Sequence, residues 1–216
     1  MSTWEPSRRV AELLFVDFDG SPAIPDDVIS DGLDGGYRGR SEPLTQVLWD
    51  AAEDPAGRFL ACVALTRWAD EAGYAAVVEA AGALESVAWR GASYDRLHGQ
   101  DDTFGVLADA VGNSVDMVDE RGTASSRVEA ACALLGIADR VRFDRHIGSL
   151  LCRDLVIECL PVLKAVVARG IARWPATNRP SFDLGLQLTL VIAVVHPADA
   201  TWATRAEHAL MEARQR

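Results

Sequence analysis

Apolar positions recur at three- and four-residue intervals through nearly all of the chain from residue 41 onward, which is the period of amphipathic helices. Ser41 and Pro43 are placed to open a first helix, "PLTQVLWDAA". Asp54-Pro55 offers an N-cap followed by a proline where no amide hydrogen is missed. In the helix that follows, "AGRFLACVALTRWADEA", Phe59, Cys62, Val63 and Thr66 share one face. Gly73 is expected to close it in the left-handed conformation, before a third helix, "YAAVVEAAGALESVAW". The polar stretch "RGASYDRLHGQDD" reads as a long loop. Asp102 or Thr103 should cap "FGVLADAVGNSVDMVDE", and "SRVEAACALLGIAD" follows. Pro161 should kink or divide the long helical stretch from Arg140 to Trp174. After the loop "ATNRPS", Ser181 is expected to cap "FDLGLQLTLVIAVV", which is apolar almost all round and so predicts an interior helix. His196-Pro197 leads into the last helix. No alternating strand pattern occurs after residue 30, so the reading is all-α.

An internal match bears on how such helices are arranged. "RFLACVALTRWAD" at 58–70 and "RVEAACALLGIAD" at 127–139 agree at six of thirteen positions, 69 residues apart. That distance suits two helical-hairpin repeats of about 35 residues. Aromatic-Asp pairs also recur, at Tyr94-Asp95, Phe143-Asp144 and Phe182-Asp183. In these features residues 43–215 resemble the degenerate helical hairpins of the HEAT and armadillo class, a likeness of architecture. The expected fold is an α-solenoid, with an irregular helical bundle as the alternative. A short non-helical N-terminal extension would occupy residues 1–40 and the helical domain residues 41–216.

Composition narrows the function classes. The 216 residues carry a formal charge of −11, with a sequence pI near 4.8. Such a chain repels phosphate backbones, so the expected partner is a basic protein and not nucleic acid. No apolar run reaches the length of a membrane span, and "MSTWEPSRRV" lacks the apolar core of a secretion signal. A cytoplasmic location is expected. Cys62, Cys132, Cys152 and Cys159 show no metal-ligand spacing and are expected to be buried, reduced thiols.

The chemistry that the sequence suggests is sparse. "LLFVDFDGSP", residues 13–22, resembles the Asp-x-Asp-Gly opening of haloacid dehalogenase-like phosphatases, which implies Asp17 as nucleophile and Asp19 as acid/base. The remaining parts of that family's machinery are missing: Lys164 is the sole lysine and sits in a helical context, and no βαβ alternation is present. An EF-hand loop starting at Asp17 would need Gly where Pro22 stands and Glu where Val28 stands. The stretch therefore reads as an apolar strand or short helix over residues 10–18, lying on the helical body, followed by an acidic turn in which Pro22 and Pro25 prevent regular structure. Two segments gather acidic side chains outside the expected helices, and Asp26, Asp27, Asp31 and Asp34, with Tyr94, Asp95, His98, Asp101 and Asp102, are the candidate protein-binding residues. No catalytic residue, metal or cofactor is expected. The functional expectation is a non-enzymatic protein-binding helical-repeat protein, of the kind that serves as an immunity or antitoxin protein against a basic effector. The alternatives are a divergent phosphohydrolase using Asp17 and Asp19, and a regulatory scaffold.

Overall fold

Side-chain caps start several of the helices. The computed structural model describes residues 4–95, 100–174 and 182–215, and these are all-α apart from one two-residue strand pair. Ser7 accepts the Val10 amide to begin α1 (Arg8–Leu14), and Pro25 occupies the first position of α2 (Pro25–Asp31). α3 (Tyr37–Trp49) leads to α4 (Pro55–Arg67), capped by Asp54, and α5 (Glu71–Gly82), capped by Asp70. Next come α6 (Thr103–Asn113), α7 (Val118–Arg121), α8 (Ala124–Leu135), α9 (Ile147–Leu150) and α10 (Arg153–Glu158). α11 (Leu160–Arg173), α12 (Leu184–Val195) and α13 (Ala200–Gln215) complete the chain. Asp183 caps α12 by accepting the Leu186 amide at 2.8 Å, whereas the expected cap, Ser181, lies outside the described residues.

The N-terminal segment is helical, which corrects the expected non-helical extension. Of the strand and short helix left open for residues 10–18 the chain forms a helix, through Leu14, and α2 corrects the expectation that Pro25 prevents regular structure. Val10 and Leu14, one turn apart, are buried, and a proline at the first helical position supports α2 instead of breaking it. Trp68 fastens α2 by donating its indole N–H to the Ile29 carbonyl at 2.8 Å. The boundary placed at residue 40 falls inside α3, and Val10, Leu14, Val28 and Ile29 share one core with the helices that follow. Pro43 lies within α3 and does not open it.

Gly73 is not a cap either. The chain leaves α4 through Ala69 in the left-handed region, φ 53°, and Gly73 sits in the first turn of α5. A Cβ there would lie 2.7 Å from the Leu65 carbonyl carbon, so its absence lets α5 approach the backbone of α4. α12 is buried through Leu188, Val191, Ile192 and Val195, but Leu186 and Leu190 are 53% and 41% exposed, so it has an outer face.

Two rows of contacting helices run through the molecule. α4 packs on α6 and α6 on α9, while α5 packs on α8, α8 on α10 and α11, and α11 on α13. This order is compatible with a helical-repeat arrangement. It also corrects the internal match, because α4 and α8 stand in opposite rows and are not equivalent helices. Phe143-Asp144 and Phe182-Asp183, by contrast, each precede a helical segment: the 3-10 turn Asp144–His146 that leads into α9, and α12.

Cys132 and Cys159 are joined in a disulfide, with Cα atoms 5.3 Å apart, so the expectation of four reduced thiols is corrected. The reason is tertiary: Cys132 on α8 faces the joint between α10 and α11. Cys62 and Cys152 are free, and complete burial pushes the Cys62 thiol up to about 12.

Arg127, 4% exposed, ties three helices together. It donates from α8 to the Val111 and Gly112 carbonyls at the end of α6, each at 3.1 Å, and to Asp154 of α10 at 2.9 Å. Replacing it with Met strands the buried Gly112 carbonyl and leaves that of Val111 with the Ser114 hydroxyl as donor at 2.8 Å, whereas Asp154 can rehydrate because its side chain is 60% exposed. Arg127→Met should therefore lower stability by about 1–3 kcal/mol, seen as an earlier urea midpoint. An unchanged midpoint would refute this role.

Candidate functional site

The Asp-x-Asp-Gly stretch closes a turn and does not end a strand of a parallel sheet. Val16 bridges Pro22, Gly20 donates to the Asp17 carbonyl with φ 89°, and Asp19 accepts the Ser21 amide at 2.8 Å. Arg40 holds the turn from below. Its guanidinium donates to the carbonyls of Leu13, Val16 and Asp17 at 2.8, 2.8 and 3.0 Å and stacks 3.9 Å from the Phe18 ring centroid. Burial lowers the Arg40 pKa, partly offset by the Asp17 carboxylate.

Above this turn the acidic residues converge. Asp27 and Asp31 are four apart on α2 and exposed, Asp34 follows in a 3-10 turn, and Asp26 sits in the first turn of α2. Desolvation raises the Asp31 carboxyl above its ordinary range; the charges of Asp17, Asp27 and Asp34 and a hydrogen bond with Asp17 add to the effect. Among the described residues none of these carboxylates belongs to an ion pair. Phe18 and Ile24, 40% and 57% exposed, lie in the same segment.

The second acidic segment is built differently. Tyr94–Asp95 pairs antiparallel with Gln100–Asp101, and His98 lies outside the described residues. Asp101 accepts both the amide and the hydroxyl of Thr103, at 3.0 and 2.6 Å, and so fixes the start of α6. Asp102 is 8% exposed, and its Oδ2 lies 3.1 Å from His146 Nε2. The expectation that Asp102 offers a surface carboxylate to a partner is thereby corrected: the fold itself uses this group.

His146 was not legible as a site residue. It stands in the 3-10 turn Asp144–His146, entered through Asp144 in the left-handed region at φ 48°. Gly105 and Gly112 of α6 leave room for this turn and α9, since a Cβ on Gly105 would lie 2.8 Å from the imidazole and one on Gly112 would clash with the Ser149 backbone. His146 Nδ1 meets Asp109 Oδ2 at 2.5 Å, and Ser149 donates to Asp109 Oδ1 at 2.5 Å. Both ring nitrogens thus face carboxylates, an arrangement that an imidazolium satisfies fully. The hydrogen bond to Asp109 raises the His146 pKa, opposed by burial and supported by the charges of Asp109 and Asp102. Burial pushes the Asp109 carboxyl up, but the hydrogen bonds from His146 and Ser149 outweigh it and leave it lowered.

This geometry does not make a nucleophilic triad. Ser149 donates to the carboxylate and not to the imidazole, and no ring nitrogen is left to take its proton. Among the described residues no group of three or more His, Cys, Asp or Glu side chains is arranged to hold a metal ion. A cleft of about 690 Å³ lies elsewhere, lined by Tyr37, Arg38, Asp70, Glu120, Arg121 and Thr123. Its groups are largely mutually paired: Tyr37 and Arg38 donate to Glu120 at 2.5 and 2.7 Å, and Arg121 pairs with Asp70. No protein-family model, curated protein or solved structure matches the chain.

The network around His146 carries a pH signature. A raised imidazole pKa contributes stability that is complete below the ordinary value of 6.5 and fades as pH climbs through the folded value. Asp109, lowered, contributes above its ordinary 3.8 and loses that contribution as pH falls through its folded value. The melting-temperature gap between wild type and His146→Gln should therefore be widest between about pH 4 and 6.5 and shrink toward pH 9. Thermal melts across that range check this; a gap independent of pH would show that His146 acts by packing alone.

Proposed function

We propose that the protein is a non-enzymatic binding protein of the cytoplasm. Its helical-hairpin array, read as an α-solenoid, presents the acidic 17–34 face to a basic protein partner, in the manner of an immunity or antitoxin protein. The observation that carries this reading is the gathering of Asp27 and Asp34 around Asp31, with none of the three in an ion pair among the described residues and with Arg40 acting on Asp17 alone. Several carboxylates elsewhere are matched: Asp139 is held by Arg169 and Arg173, Asp199 by Lys164 and Glu120 by Arg38. Concentrated like charge repels itself in the free protein and attracts cationic groups from solution. Phe18 and Ile24 add apolar contact area beside it, the usual companion of charge in a protein interface.

Two substitutions follow from this face. Asp31→Asn removes one repelling charge, so it should raise the melting temperature of the free protein at low salt, and the gain should diminish at high salt. Asp27→Lys/Asp31→Lys should slow association with a partner captured from the native host by roughly ten-fold at low salt. Stopped-flow binding across a salt series measures this, with the fold checked by circular dichroism. An association rate indifferent to salt and to the double reversal would move the interface to an apolar helical face.

A further inference from the structure

We propose that Cys132 and Cys159 form a redox switch: oxidised, they lock the segment between them against α8, and reduced, they let it open locally while the rest of the protein stays folded. The disulfide spans 27 residues. Within that span the helical pieces are the 3-10 turn Asp144–His146 and the four- and six-residue helices α9 and α10. Helices of that length do not hold themselves in water, so their order comes from ties to other elements. Gln187 grips the Ala138 and Val141 carbonyls and the Phe143 amide, His146 meets Asp102 and Asp109, and Arg127 holds Asp154. The disulfide is the covalent member of this set.

On either side of the span stand α8 and α11, of 12 and 14 residues, both packed on further helices. Cys159 is fully buried, and a reduced cysteine is a small apolar side chain that suits the same place. Reduction therefore leaves the frame standing. Cys132 is partly exposed, so a thiolate from solution reaches it first. A dithiol reductant attacks Cys132 Sγ, the S–S bond breaks, and its electron pair leaves on Cys159 Sγ, which takes a proton. The second thiol of the reductant then attacks the mixed disulfide, releases Cys132 as a thiol and departs as its own disulfide. Cys62 and Cys152 do not compete, since burial raises both thiol pKa values and a nearby Asp154 raises that of Cys152 further. In the cytoplasm, the location proposed above, disulfides are redox-responsive more often than permanent; the switch itself is testable in vitro without that premise.

Opening the 27-residue loop restores chain entropy to the open state, on the order of a few hundred-fold in the local opening equilibrium. The test is hydrogen exchange of full-length protein after glutathione-disulfide treatment and again after a dithiol reductant, with thiols counted by alkylation under denaturing conditions. Two alkylated thiols are expected in the oxidised form and four in the reduced. Amides of Ile147–Leu150 and Leu155–Glu158 should lose protection on reduction by one to three decades, while those of α4 and α5 are unchanged. Cys132→Ala/Cys159→Ala should match the reduced form and ignore both reagents. Four alkylated thiols after oxidation, equal protection in the two forms, or loss of protection throughout the molecule on reduction would each overturn the proposal.

Discussion

Near its end the α6 helix is buried at Val111 and Gly112, where the carbonyls cannot reach water and must find donors. Arg127 donates to both, with Ser114 a second donor to Val111, and its position decides much of what surrounds it. The negative end of α6 favours a cation, and the planar guanidinium reaches two carbonyls and a carboxylate at once. Because it comes from α8 and also reaches α10, the angle at which α8 crosses α6 is tied to where the next segment begins. Gly112, one of the carbonyls it serves, is also where Ser149 touches α6, so the same helix end sets the height of the turn that carries His146.

From α6 the consequences run to both acidic segments, with opposite results. Asp101 and Asp102 were drawn into the start of α6 and its contact with His146, so charge that a linear reading places in solvent holds the fold together. At the N-terminus the carboxylates of Asp27, Asp31 and Asp34 stay on the surface of α2 and the adjoining turn, outside any ion pair among the described residues, while Arg40 acts on Asp17 alone. The acidity of the chain is thus unevenly matched, and that unevenness supports a binding role for one face over the other.

Helix starts were legible where the signal is local. Asp54-Pro55 caps α4 as read, Pro161 falls at the division before α11, and the span of α12 agrees with its apolar run. Misreadings came where two distant segments decide the outcome. Gly73 resembles a cap in sequence but serves a close approach to α4, while Ala69 takes the left-handed turn. Two cysteines 27 residues apart carry no pairing signal until α8 is set beside α10 and α11. His146, Asp109 and Ser149 are ordinary residues along the chain, and only the Gly105, Asp109, Gly112 spacing on one face of α6 hints that something packs closely there. The apparent 69-residue repeat failed for the same reason: alanine-rich helices look alike whichever row they occupy.

Arg40, beneath the Asp-x-Asp-Gly turn, has a consequence for how fast anything could settle on that surface. Its bonds run to three backbone carbonyls, not to side chains, so they fix the course of the chain from Leu13 to Asp17 whatever the salt concentration. Phe18 is pinned from one side by the same guanidinium and backed by Gly36, where any Cβ would strike the ring. The turn is therefore shaped before encounter, and a visiting molecule would meet it without first having to freeze a loop into place. Screening ions can weaken the pull of the surface on a distant charge, but they leave the shape that receives it unaltered.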